Sequence, residues 1–216
     1  MEQVADQMDT ERKAPSSRSG SETNDSKRDL TYMKRIGGWH ASAVVAALTL
    51  FGAAYTWAAF SGWMLAEIVS VAAAVVAAMV MSSIVHEWGH FAAARLSGAI
   101  SPVLSKPRRL YFMFNFDMQS NSVKQAVWMS WGGLIGSWSL VVALFVLVPL
   151  NSLAAAALIA TLTGRAVNAT VFEFPIIQRT TKSGEFEKEL KAQLDDPGLV
   201  RMPGLVVGLI SLVALA

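Results

Sequence analysis

The sequence has no cysteine, only three histidines, and long stretches almost without charge. The missing cysteines exclude disulfides and thiolate metal sites. No apolar run begins before about residue 38, so residues 1–37 are not expected to act as a secretory signal peptide. The first apolar helix is therefore expected to direct insertion. Charged residues make up 16% of the chain against 53% hydrophobic ones, and the mean hydropathy is +0.41. Residues 1–35 hold seven of the eighteen Lys/Arg and seven of the sixteen Asp/Glu. Such segregation points to an integral membrane protein with a polar N-terminal tail. The net charge of +2 and pI near 9.0 do not point to nucleic acid. The basic residues flank apolar runs, where they anchor a chain to the lipid bilayer.

The expected fold class is an all-α polytopic membrane protein. It has four spanning helices, a short C-terminal apolar segment, and a small strand and loop insertion between the second and third spans. Residues 1–36 read as a disordered polar cytoplasmic tail, and 37–216 as the integral membrane domain. The spans are expected at about 38–59, 63–98, 126–148 and 153–178, and Pro203–Ala216 is too short for a comfortable crossing. Seventeen of the eighteen Lys/Arg fall in the tail, the 95–124 loop or the 179–201 loop, all on one side. That side is expected to be cytoplasmic, with a bacterial plasma membrane as the setting. The exception, Arg165, lies within the fourth span. It should find a partner in Glu67, a carbonyl or the active site.

Ionisable groups are costly at membrane depth, yet His86-Glu87-Trp88-Gly89-His90 puts three of them at the end of the second span. The pattern is H-E-x-x-H. Positions i and i+4 share a helix face, so both imidazoles can reach one ion, here Zn2+. Glu87, beside the first ligand, can act as general base toward a water that zinc acidifies to a pKa of about 7. A catalytic zinc usually has three protein ligands. Glu173 lies six residues before Arg179 at the end of the fourth span, level with His90, which lies five before Arg95. Pro175 follows and is expected to break the helix there, aiming Glu173 into a cavity. His40 stands at similar depth and competes for the same role. Asp117, Glu185 and Asp195 lie in loops and rank lower. The segment "RLYFMFNFDMQSN" alternates, with Phe112, Phe114, Phe116 and Met118 facing one way, and reads as a strand. Its edge could pair with an unwound substrate.

"HEWGHFAAARLSGA", with the later helix bearing Asn168 and Pro175, resembles the site-2 protease family of intramembrane zinc metalloproteases over about residues 63–180. The resemblance implies hydrolysis of membrane-anchored protein substrates within or beside their transmembrane helix. It also implies substrate positioning or oxyanion support by Asn168. The chain departs from the family in two places. "NATVFEFPIIQRT" has no Asp-Gly, and the family's aspartate position falls on Ile176. The Gly-Pro…Asn pattern is represented only by "WGGLIGSWS", where Gly132 and Gly136 fit small-xxx-small helix packing. The other readings are a membrane metallopeptidase of another family, a non-catalytic metal-binding or transport protein, and an inactive relative that keeps only the fold.

Overall fold

The computed structural model of the chain describes residues 18–108, 111–195 and 202–216, and of residues 18–25 the backbone alone. Among these it has α1 (Arg18–Ser61), α2 (Met64–Leu96), β1 (Val103–Arg108), β2 (Phe112–Phe114), α3 (Val123–Leu147), α4 (Leu153–Ser183), α5 (Phe186–Asp195) and α6 (Met202–Leu215). Ser26–Ser61 of α1 together with α2, α3 and α4 are long and apolar enough to cross a bilayer. The protein is an all-α polytopic membrane protein with a small sheet between its second and third spans.

Local chemistry sets the helix ends. Gly62, at φ +65°, takes the left-handed backbone that reverses the chain between α1 and α2. Ser122 and Gln125 form a reciprocal capping box at the start of α3. The Ser152 hydroxyl accepts the Ala155 amide at the start of α4. Ser82 and Ser83 meet Arg165, and further along both helices His86 and His90 meet Glu173. α2 and α4 therefore run parallel, with α3 antiparallel between them.

Small residues bring these helices close. Ala74, Ala77 and Ala78 of α2 pack on Ala154, Ala157 and Leu158 of α4. Between lipid-embedded helices the gain comes from close packing rather than release of water. Large apolar side chains such as Leu65, Ile68, Val142 and Phe145 point outward, as lipid-facing surfaces require.

Four expectations need correction. The segment up to residue 36 is not a disordered tail over its described part, because α1 begins at Arg18. Its polar groups have partners on the hairpin and in the last turn of α2. The Asp29 carboxylate accepts the Val103 amide at 2.5 Å and pairs with Arg95, and Arg35 donates to the Ser105 carbonyl. Ile36 is buried with Phe91, Val103 and Met113. Residues 1–17, like Arg109 and Arg201, lie outside the described residues.

Pro175 does not break α4, which continues to Ser183. A proline inside a membrane helix forfeits one backbone hydrogen bond, and packing against neighbouring helices tolerates the loss. The 179–201 loop contains α5, whose Phe186, Leu190 and Leu194 recur every four residues along one face and line the cavity described below. The alternating segment at 112–118 forms a strand only over Phe112–Phe114, paired antiparallel with β1.

Candidate metal centre

The helical spacing of the H-E-x-x-H motif sets His86 and His90 one turn apart on the face of α2 turned toward α3 and α4. α3 reaches them because it has almost no side-chain bulk at the crossing. A Cβ on Gly132 would lie 2.3 Å from the Gly89 carbonyl oxygen, and one on Gly133 would lie 2.4 Å from His90 Nε2 and 2.9 Å from His86 Cε1. With glycine at both positions, the α3 backbone itself touches the imidazoles.

That contact fixes the tautomers. His86 Nδ1 donates to the Gly133 carbonyl at 3.1 Å, with the Ser137 hydroxyl 3.0 Å away. His90 Nδ1 donates to the Met129 carbonyl at 2.8 Å. Carbonyls only accept, so both Nδ1 atoms carry protons, and each ring in its neutral form presents a bare Nε2 lone pair. The two Nε2 atoms lie 3.1 Å apart. Glu173 Oε1 lies 2.9 Å from the first and 3.1 Å from the second.

Three acceptor atoms facing one another at such distances repel unless a metal ion or a proton sits among them. Ligands held about 2.0–2.2 Å from one ion lie roughly 3 Å or slightly more apart, and a carbonyl behind each ligating histidine is the usual supporting arrangement. Glu173 Oε2 is buried and makes no hydrogen bond among the described residues, a second sign that the carboxylate serves something other than protein donors. His86, His90 and Glu173 are the group among the described residues with metal-ligand geometry, and they could hold a metal ion.

Glu87 points elsewhere from the same turn. It is buried at 4% exposure and accepts the Met113 amide of β2. Phe112 and Phe114 pair with β1, and a register irregularity interrupts the ladder between the two pairs. The hairpin thus contributes a backbone donor to this carboxylate. Glu87, His86, His90 and Glu173 share a cavity of about 740 Å³ with Phe112, Asn168 and Arg165.

His40 is not in the metal group. It is buried between α1 and α2, where its Nδ1 accepts the Trp88 indole N–H at 3.1 Å and its ring lies against Tyr111. Asn168 lines the cavity, but its Oδ1 accepts the Gly204 amide of α6 at 3.0 Å. Arg165 donates to the hydroxyls of Ser82 and Ser83. Glu67 stands in the first turn of α2, far along the helix from both. Sequence reading missed Gly133, Ser137 and the carbonyl of Met129. The one available signal was the Gly132-Gly133 pair, because adjacent glycines in a spanning helix mark a close backbone approach.

Comparison of the chain with protein-family models, curated proteins and solved structures finds no match.

Proposed function

We propose that the protein is an intramembrane zinc metalloprotease of the site-2 protease type, cutting membrane-anchored proteins within or beside a transmembrane segment. The observation that carries this reading is the pair of imidazoles whose Nδ1 protons are spent on α3 carbonyls, with bare Nε2 atoms converging on Glu173 Oε1 beside Glu87. Two histidines and one carboxylate with room for a fourth ligand suit a catalytic zinc site. Zinc held by His86, His90 and Glu173 would act as a Lewis acid on the scissile carbonyl and acidify water.

The chain's own groups do the rest. Glu87, held by the Met113 amide, takes the proton of the attacking water on its carboxylate and returns it to the leaving nitrogen. The open edge of β2 offers backbone pairing to an unwound substrate next to that carboxylate. Phe112, Phe114 and Phe116 line the same cavity and suit apolar side chains. The distribution of basic residues supports a cytoplasmic location for this end of the bundle.

Metal content and cleavage of a model transmembrane substrate test the proposal in the wild type, Glu87→Gln and Glu173→Ala. Glu87→Gln should retain the metal and lose cleavage by about a hundredfold or more, and Glu173→Ala should lose the metal. Undiminished cleavage by Glu87→Gln would sink the mechanism.

A further inference from the structure

Arg165 stands about 18 Å along α4 from Leu153, deep within a spanning helix. It forms no ion pair with any carboxylate among the described residues. Its guanidinium is held by two serine hydroxyls, Nε to Ser82 at 3.3 Å and one Nη to Ser83 at 3.0 Å. The other Nη makes no hydrogen bond among the described residues. The side chain is exposed and lines the cavity that holds the metal group. An unpaired cation at membrane depth is costly, and such residues mark the path of a ligand. Two hydroxyls orient the guanidinium but leave its charge uncompensated, with a free edge of the kind that binds a carboxylate.

From these observations we propose that Arg165 is a specificity-determining residue that binds a substrate carboxylate on the membrane-interior side of the scissile bond. This inference rests on the protease reading above and adds the class of substrate to it. The register follows from the helices. Arg165 lies eight residues before Glu173, about 12 Å along the axis. An extended chain advances about 3.3 Å per residue, which puts the recognised acid roughly two to four residues from the cut once the reach of the arginine is counted. A phospholipid headgroup is not the ligand, because its phosphate lies at the interface rather than at this depth. An acidic side chain within an otherwise apolar segment satisfies both the charge and the location.

The test uses the full chain, zinc-loaded, in liposomes. Synthetic apolar transmembrane peptides carry one Asp, or Asn in its place, at each of the first six positions on the interior side of the cut. Asp two to four residues away should lower KM about tenfold relative to Asn. Arg165→Gln should erase that ratio, and Arg165→Lys should keep part of it. A wild-type ratio of one at every position overturns the proposal without any variant. So does an unchanged ratio in a folded, metal-loaded Arg165→Gln protein. Binding of the same fluorescently labelled peptides to Glu87→Gln separates the two readings. Asp preference in binding that depends on Arg165, with no cleavage by wild type, upholds the anion site and removes the protease reading. Cleavage without Asp preference does the reverse, and the absence of both removes both.

Discussion

The α2–α3 and α4–α6 contacts are built alike and serve different ends. In each, two glycines face one another so closely that a Cβ on either would lie 2.3–2.6 Å from the other's carbonyl oxygen: Gly89 with Gly132, and Gly164 with Gly204. The packing cause is shared, since membrane helices gain most where small residues let backbones meet. The chemical results differ in what lies next to the crossing. Beside Gly132 is Gly133, which exposes α3 carbonyls to the imidazole N–H groups and leaves both Nε2 atoms for an ion. Beside Gly204 is Asn168, whose carbonyl oxygen goes to the Gly204 amide. One glycine contact shapes a group that could hold a metal ion, and the other docks a short helix.

The largest expected effect falls on the first contact. In Gly133→Ala the new methyl would overlap both imidazoles, so metal affinity should fall by about a hundredfold or more. Competition with a chromophoric chelator measures this, and unchanged affinity would break the comparison. Gly204→Ala should instead displace α6, destabilising the protein by about 1–3 kcal/mol. It should appear as a lower unfolding temperature in detergent with metal affinity intact. Metal loss as large as that of Gly133→Ala would show that the two contacts are not separable. The smallest effect is expected from Ser137→Ala, which removes the hydroxyl 3.0 Å from His86 Nδ1. Metal affinity should drop about tenfold, while no change would leave the Gly133 carbonyl as the sole support of that tautomer.

The site was partly legible before any coordinates. His86, Glu87 and His90 are a local pattern whose meaning depends only on helix periodicity, and Glu173 followed from its depth on a span running the same way. His40 was indistinguishable from Glu173 by depth, because depth does not say which face of a helix meets which neighbour. Its place against Trp88 depends on the rotation of α1 about its axis, and depth does not record it. Pro175 misled because the rule that proline ends helices belongs to water, where freed carbonyls are readily solvated. The polar end of α1 misled for a related reason: Asp29 and Arg35 resemble a solvated tail until partners some seventy residues away are in place.

Composition and periodicity alone determined that this is a membrane protein with four long apolar helices, a small insertion containing a strand, and two histidines on one helix face. These properties are carried by residues near one another in sequence, where spacing is geometry. Only the tertiary structure decided that α3 presses its carbonyls onto those histidines, that Glu173 rather than His40 joins them, and that Arg165 opens into the same cavity. Each of those outcomes depends on how closely two helices approach and how each is rotated. That is decided by the packing of glycine and alanine surfaces between segments far apart in the chain.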